Sequence, residues 1–209
     1  MVQLQNILSL LHLAEKLKFE LRHSFTSAGR QESVAEHTWR MALMAMLLEP
    51  HLDQKIDIGK TLKMILIHDL VEAEAGDVPF PRMVQNADLK KMKEEKEKAA
   101  IEKIRTILND DTGEEIHSLW NEFEERNTYE AKFANALDKL EVQLQHNEAD
   151  IKTWEPIEYE LIYSRRPFTD FDSTIDRLRE MIEQDAENKL KRAGIDIDAI
   201  KSKVLPHLH

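Results

Sequence analysis

The sequence predicts an all-α fold, a single domain built as a bundle of about six to eight helices. Glycine and proline are scarce, with five and six residues among 209, which favours long helices with short connections. Apolar residues recur at the three- and four-residue spacing of amphipathic helices. No repeat or low-complexity linker is visible. One domain over residues 1–209 is therefore expected, with its motif-bearing core at about 30–145 and a C-terminal helix at about 170–193.

The N-terminal elements follow from periodicity and capping signals. Residues 3–19 place leucines on one stripe and predict the first amphipathic helix. Residues 20–32 have no periodicity and predict a loop. Ser33 and Glu36 match the S-x-x-E pattern of a capping box, which predicts a helix that begins there and ends near Pro50.

The next helix is predicted at about 57–75 and ends at Gly76, because glycine readily adopts the positive φ of a helix C-terminus. Two prolines make the following DVPFPR segment a rigid loop. The remaining helices are predicted at about 86–109, 112–126, 128–150 and 170–193. The mixed-sign KKMKEEKEK run at the start of the first of these is assigned to a solvent-exposed face.

Charge and composition limit the classes of partner. A net charge of −11 argues against non-specific nucleic-acid binding, whereas a small anionic substrate stays possible beside local cations or a metal. No apolar run approaches the roughly 20 residues that span a bilayer, and the N-terminus lacks the basic leader of a signal peptide. The absence of cysteine excludes thiolate nucleophiles and suits a reducing compartment. We therefore expect a cytoplasmic protein that binds neither nucleic acid nor membrane.

A polar cluster interrupts the apolar segment MILIHDLVEAEAGDVP, where His68 and Asp69 are adjacent and Glu72 follows one turn later. Burying these groups is costly unless something compensates them, and a divalent cation would do so. Two ligands rarely suffice, so His37, at the start of the capped helix, and Asp138, in an apolar stretch, are further candidates. Each taken singly also fits a structural hydrogen bond or an ion pair, and spacing alone leaves both interpretations open.

The order ESVAEH, LIHDLVEAEAGDVP, ANALDKLE resembles the HD-domain phosphohydrolases. Within them it is most similar to the 5′-deoxynucleotidases related to HD domain-containing protein 2, which remove phosphate from deoxyribonucleoside monophosphates. The resemblance extends from about residue 14 to about residue 165, and loosely to the C-terminal helix. The HD pair alone is a weak motif, but the three segments in this order are specific. The resemblance implies an HD-domain helical bundle.

The resemblance also implies roles for individual residues. Four residues match the metal ligands of the family: His37, His68, Asp69 and Asp138. Glu72 matches a catalytic carboxylate, and Asp77 matches a second acidic residue near the substrate. Which of these two carboxyls acts as acid and which as base stays open.

The substrate-binding loop departs from the family pattern. Arg22 falls where the family has an arginine that reaches the phosphate. The tryptophan that follows it in the family, and that senses the 2′ side of the sugar, is absent. His23 or Phe25 stands nearby, depending on the alignment, so discrimination against ribose is expected to be weaker here. Arg30 is a second candidate phosphate ligand, with plain surface charge as the alternative.

These assignments predict a phosphomonoesterase that uses one divalent metal ion to hydrolyse (deoxy)ribonucleoside 5′-monophosphates. Cobalt, manganese, zinc, iron, nickel and magnesium are not distinguished. A homodimer is expected from the resemblance and from Trp120 and Trp154, which one small domain is not expected to bury alone. Six further histidines show no partner pattern and receive no functional role: His12, His51, His117, His146, His207 and His209.

Two alternatives stay open at this point. One is an HD hydrolase of another nucleotide, such as a triphosphate, an alarmone or a phosphodiester. The other is a non-catalytic, metal-stabilised dimer that binds nucleotides. The second alternative predicts bound metal without phosphate release.

Overall fold

Helices form most of the structure, as the sequence predicts. The computed structural model describes residues 2–78, 82 and 86–204. The elements as far as the HD segment are α1 (Val2–Ala14), β1 (Leu21–Phe25), β2 (Gln31–Ser33), α2 (Val34–Leu48), α3 (Ile58–Ile67) and α4 (Glu72–Ala75). They are followed by α5 (Ala87–Leu108), α6 (Asp111–Glu125), α7 (Tyr129–Glu148), α8 (Pro156–Leu161), α9 (Arg166–Thr169), α10 (Ser173–Arg192) and α11 (Ile197–Val204). Short 3₁₀ segments connect several of them, at Glu15–Lys18, Glu49–His51, Ile151–Thr153 and Ile162–Ser164.

The main apolar core lies between α2, α3 and α7, which pack on one another, with α6 against α3 and α7 and α10 against α7. Its fully buried side chains include Met41, Met64, Ile65, Phe133, Leu137 and Leu140. A smaller cluster around Trp154, Tyr163 and Leu190 packs the C-terminal elements. His37 lies on α2, Asp138 lies on α7, and His68 and Asp69 directly follow α3, so the packing of these three helices sets the positions of the predicted metal ligands.

The capping box at the start of α2 is confirmed. The Ser33 side chain accepts a hydrogen bond from the Glu36 backbone N–H, and the Glu36 side chain accepts one from the Ser33 backbone N–H. This pair satisfies backbone donors that a helix start leaves free and fixes the first turn of α2. His37 lies in that turn and is completely buried.

The helix predicted at 57–75 is interrupted, which corrects the sequence prediction. α3 ends at Ile67, residues 68–71 form a turn, and α4 is a single turn that ends at Gly76 with φ of 75°. Leu70 N donates to the Ile67 carbonyl at 3.0 Å. The backbone hydrogen bonds therefore change from the four-residue spacing of an α-helix to a three-residue spacing. The apolar periodicity continues through this break, which is why the sequence pattern did not reveal it.

The loop predicted at 20–32 is a β-hairpin instead. β1 and β2 pair antiparallel, with Leu21 opposite Ser33 and Phe25 opposite Gln31, and the register is irregular between these pairs. Gly29 has φ of 82°, a value that glycine adopts without strain, and provides the turn. Strands of five and three residues are too short to show a clear alternation in sequence. Residues 79–81 of the predicted rigid loop, DVPFPR, lie outside the described residues.

The burial of two tryptophans differs from the expectation that a single domain leaves them uncovered. Trp120 and Trp154 are buried within one chain, so they do not provide a reason for dimerisation. Trp39, on the outer side of α2, is 65% exposed. Among the described helices, none is both long enough and apolar enough to cross a bilayer.

Candidate active site

Two buried imidazoles from α2 and the end of α3 meet at the centre of the structure. The Nδ1 atom of His37 is hydrogen-bonded to Glu141 on α7, and the Nδ1–H of His68 donates to the Ile65 carbonyl at 2.7 Å. The ring centroids of the two histidines are 5.6 Å apart. Both Nε2 atoms are buried and have no well-aligned hydrogen bond among the described residues. Because a carbonyl can only accept, the neutral His68 ring presents its Nε2 lone pair.

Carboxylates face these two Nε2 atoms. Asp69 Oδ2 is 3.1 Å from His68 Nε2 and 3.9 Å from His37 Nε2. Asp138 Oδ1, from α7, is 3.2 Å from His37 Nε2, while its Oδ2 accepts from Lys139 Nζ at 2.7 Å. One donor atom from each of His37, His68 and Asp69 lies within 4.8 Å of the others.

This arrangement fits a divalent metal ion. Imidazole nitrogens and carboxylate oxygens are common ligands, and metal-bound histidines usually have the other ring nitrogen held by a carbonyl or carboxylate, as His37 and His68 do here. The surrounding charge also favours a cation. Burial and Arg22 act to lower the pKa of His37, but Glu141 and Asp138 outweigh them and raise it to about 9. Burial acts to raise the pKa of Asp138, whereas Lys139, His37 and His68 together hold it well below its usual value.

Arg22, on β1, extends into the same group of carboxylates. Its Nη1 donates to Asp69 Oδ2 at 3.2 Å, and its Nε lies 3.6 Å from the buried Glu32 Oε2. Burial acts to lower the pKa of Arg22, but nearby carboxylates, Asp69 foremost, raise it above its usual value. Burial and the charge of Glu141 raise the pKa of Glu32 to about 7. The hairpin thus places a permanently charged guanidinium next to the candidate metal ligands.

Glu72 and Asp77 lie on the segment that follows the turn. Glu72 Oε1 accepts from Lys93 Nζ at 3.3 Å, and its Oε2 is buried without a hydrogen-bond partner in the described part of the chain. Burial, together with the charge of Asp69, raises the pKa of Glu72 well above its usual value. Burial also raises the pKa of Asp77, although Arg22 and Lys93 oppose it.

Many of these carboxylates, together with Arg22, line one cavity of about 180 Å³. The charged residues on its wall are Arg22, Asp69, Glu72, Asp77, Lys93, Asp138, Lys139, Glu158 and Arg165. Apolar side chains complete the wall, among them Val142, Leu161 and Phe168. The cavity therefore combines a charged region with a surface that suits a flat organic group.

A second polar cluster lines the same cavity. Glu158 Oε1 lies 3.2 Å from His23 Nε2 and 3.3 Å from His146 Nε2, and Ser24 Oγ is 3.2 Å from His146 Nε2. Glu158 is the main cause of the raised pKa of His23. Burial lowers the pKa of His146 to about 4, so this ring is neutral at pH 7. Trp154 Nε1 donates to the His146 carbonyl at 2.9 Å and anchors the backbone there.

The structure brings together most of the residues that the sequence nominates. His37, His68 and Asp69 converge, Asp138 adjoins His37, and the other candidates on the cavity wall are Arg22, His23, Glu72 and Asp77. Arg30 is the exception. Its side chain is 60% exposed, pairs with Glu36 of the capping box and does not line the cavity.

Several residues of the site escaped the sequence argument. Glu141 follows Asp138 by three residues and so lies on the same side of α7, a spacing that could have revealed it. Lys93 belongs to the run assigned to solvent. His146, which received no functional role, and Glu158 lie more than 120 residues from their hairpin partners, and the sequence carries no local signal for them.

Comparison with known proteins shows the family to which this chain belongs. A model of the HD domain matches residues 14–191, and this covers most of the chain. The chain belongs to the HD domain family. Among HD-domain relatives, the 5′-deoxynucleotidase HDDC2 of Homo sapiens is 32% identical over 146 residues, which are 69% of this chain and 68% of that protein. The HDDC2 of Xenopus laevis is 37% identical over 121 residues, 58% of this chain and 57% of that relative.

A solved structure of another protein shows the same overall fold. The crystal structure of a predicted metal-dependent phosphohydrolase from Magnetospirillum magnetotacticum aligns with a TM-score of 0.77 and 31% sequence identity. The alignment covers 93% of this chain and 99% of that one. The likeness therefore includes both the helices around the HD pair and most of the C-terminal elements.

Proposed function

We propose that this HD-domain chain is a metal-dependent phosphomonoesterase that hydrolyses nucleoside 5′-monophosphates to a nucleoside and inorganic phosphate. The observation that carries the proposal is the convergence of two buried Nε2 atoms, which have no hydrogen-bond partner among the described residues, with Asp69 close to Arg22 and Glu72. The names of the relatives support the same reaction, since both HDDC2 proteins are 5′-deoxynucleotidases.

One divalent ion is proposed to be held by His37, His68, Asp69 and Asp138. Such an ion supplies Lewis acidity to a phosphate oxygen and to the attacking water. The distances from His37 Nε2 to Asp138 Oδ1 and from His68 Nε2 to Asp69 Oδ2, 3.2 and 3.1 Å, resemble the separations between ligands that share one ion.

The protein side chains bind the phosphate, orient the attacking water and transfer protons. Arg22 binds the phosphate and neutralises part of its charge through a planar fork of N–H donors. Glu72 orients the attacking water through Oε2, which has no hydrogen-bond partner within the described ranges, and accepts the proton of that water. Asp77 lies on the same cavity wall and either protonates the leaving 5′-oxygen or positions Glu72.

The remainder of the cavity is proposed to hold the nucleoside. Val142, Leu161 and Phe168 offer an apolar surface to the base, and His23 with Glu158 offers polar atoms to the sugar. A monophosphate fits better than a triphosphate, because additional phosphates would meet the carboxylates of Glu72 and Asp77.

A phosphate-release screen tests this function directly. Purified protein is assayed with nucleoside mono-, di- and triphosphates, a cyclic dinucleotide and an alarmone, each with manganese, cobalt, zinc, nickel, iron or magnesium. We expect release from monophosphates with at least one metal. Activity confined to the larger nucleotides would support the other HD hydrolases. Bound metal with no phosphate release from any nucleotide would instead indicate a non-catalytic binding dimer.

Discrimination at the 2′ position is expected to be weak. His23 occupies the wall beside the proposed sugar and can hydrogen-bond a hydroxyl, whereas a large aromatic wall would exclude it by crowding. We expect deoxyribonucleotides and ribonucleotides to differ by no more than about tenfold in kcat/KM, about 1.4 kcal/mol in transition-state binding. The measurement compares dAMP with AMP and dCMP with CMP at one metal concentration. A preference for the deoxy form above about a thousandfold would contradict this assignment of His23.

A homodimer is also proposed, through the outer face of α2. This face carries exposed apolar side chains at helical spacing: Trp39, Leu43, Met46 and Leu47. Light scattering should give twice the chain mass of 24.4 kDa, and Leu43→Glu should shift the protein to the single-chain mass. The exposed Met181 on α10 provides the control, because Met181→Glu should leave the mass unchanged. A wild-type protein that stays at 24.4 kDa at micromolar concentration would refute the dimer.

A cytoplasmic location completes the proposal. It rests on the absence of cysteine from the chain, which suits a reducing compartment. Fractionation of the native source would test it.

A further inference from the structure

One lysine of α5 differs from its neighbours on that helix. Lys90 and Lys91 are exposed and form loose pairs at 4.0 Å with glutamates four residues later. Lys93, in contrast, is only 19% exposed at its side chain. Its Nζ lies 3.3 Å from Glu72 Oε1 and 3.1 Å from Glu97 Oε1.

The surroundings of Lys93 keep it charged. Burial acts to lower its pKa, but the carboxylates of Glu72 and Glu97 outweigh that effect and raise it above the usual lysine value. Burying an ammonium group is costly unless it is paired, so the two carboxylates account for its position. Lys93 is therefore a fixed cation on the cavity wall rather than part of a solvated helix face.

The contact with Lys93 makes the two oxygens of Glu72 unequal. Oε1 accepts the hydrogen bond from Lys93, and Oε2 is buried with no partner among the described residues. A glutamate has several rotatable bonds, and a hydrogen bond to one oxygen selects among its rotamers. The geometry thus leaves one defined oxygen available to a ligand in the cavity.

We propose that Lys93 is a positioning residue for Glu72, holding Oε1 so that Oε2 is presented to the attacking water. The inference rests on the proposed function, because it assigns Lys93 to the step that Glu72 performs. Lys93 does not act as a second phosphate ligand in this scheme. Two carboxylates already pair with its Nζ, whereas Arg22 Nη1 donates directly to the candidate metal ligand Asp69.

A double-mutant cycle separates positioning from a purely structural role. Lys93→Met in the wild-type background should lower kcat by about 10- to 100-fold, within the range for a displaced proton-transfer group, and change KM by less than about twofold. In the Glu72→Gln background the same substitution should change kcat by less than about twofold, because the group that it positions is already disabled. An equal loss in both backgrounds, or a loss expressed in KM alone, would overturn the inference.

Two further variants control the cycle. Lys91→Met removes an exposed lysine from the same helix and should leave kcat unchanged. Lys93→Arg keeps the cation and should recover most of the activity that Lys93→Met loses. All variants are compared for metal content and melting temperature, and a Lys93→Met protein with reduced metal content would also overturn the inference.

A structural measurement decides the question independently of turnover. Crystal structures of metal-loaded wild-type protein and Lys93→Met should show Glu72 in one rotamer when Lys93 is present and in a different or mixed rotamer when it is absent. An unchanged Glu72 rotamer in the variant would refute positioning. A wild-type protein that releases no phosphate from any nucleotide would refute the proposed function, while the rotamer comparison would still test the role of Lys93.

Discussion

Asp69→Asn is expected to lose the bound metal and to lower turnover by about a thousandfold or more, a transition-state cost of about 4 kcal/mol. Asp69 Oδ2 faces both Nε2 atoms of His68 and His37 and also accepts from Arg22. Asparagine keeps the shape of the side chain but removes the charge that attracts the ion and pairs with the guanidinium. Metal content by elemental analysis and phosphate release measured on the same preparation check both effects.

The control for this variant is Asp111→Asn, which removes an exposed carboxylate at the start of α6. It should retain full metal content and wild-type turnover. An Asp69→Asn protein with full metal occupancy would show that the ion is held without this residue, and that the ligand assignment is wrong.

Glu72→Gln should give the opposite combination, with metal retained and turnover reduced by about a hundredfold or more. The substitution leaves the proposed ligands untouched, whereas an amide cannot accept the proton of the attacking water. The buried amide can still bond to Lys93, so the fold should tolerate it. The measurements are metal content, nucleotide binding by calorimetry, and kcat under saturating substrate.

Glu74 supplies a matched control for Glu72. It lies two residues later on the same short helix and pairs with Lys103 and Lys16 instead of facing the cavity. Glu74→Gln should therefore leave turnover unchanged. Near wild-type turnover in Glu72→Gln would remove Glu72 from the mechanism.

The sequence indicated which residues lie near one another in the candidate site more accurately than it indicated where the helices end. His68 and Asp69 could be nominated because ionisable groups in an apolar run need compensation. His37 and Asp138 were further candidates from their helix positions, and the resemblance implied that all four residues are metal ligands. The break of the helix at residues 68–71 could not be predicted, since the apolar spacing continues across it. The break is a tertiary feature: the His68 carbonyl accepts from the buried Trp120 indole.

Other residues were missed or misplaced because their positions depend on contacts that the sequence pattern does not show. Lys93 is one of several lysines in a run of mixed charge, and only the packing of α5 decides which of them turns inward. His146 meets Ser24 and Glu158 through the hairpin, which the sequence did not reveal. Arg30 was proposed as a phosphate ligand because a loop arginine near the motif fits that role. In the structure, Arg30 instead pairs with Glu36 of the capping box.

The two buried tryptophans have an experimental use. Each indole N–H donates to a histidine backbone carbonyl: Trp120 donates to His68, one of the candidate metal ligands, and Trp154 donates to His146, on the cavity wall with Glu158. Indole emission depends on the electric field and hydrogen bonding around the ring, so each tryptophan is an intrinsic optical probe of a different part of one cavity. With Trp39 exposed and distinguishable by quenchers, single-tryptophan variants could follow metal loading and nucleotide entry separately, without an added label.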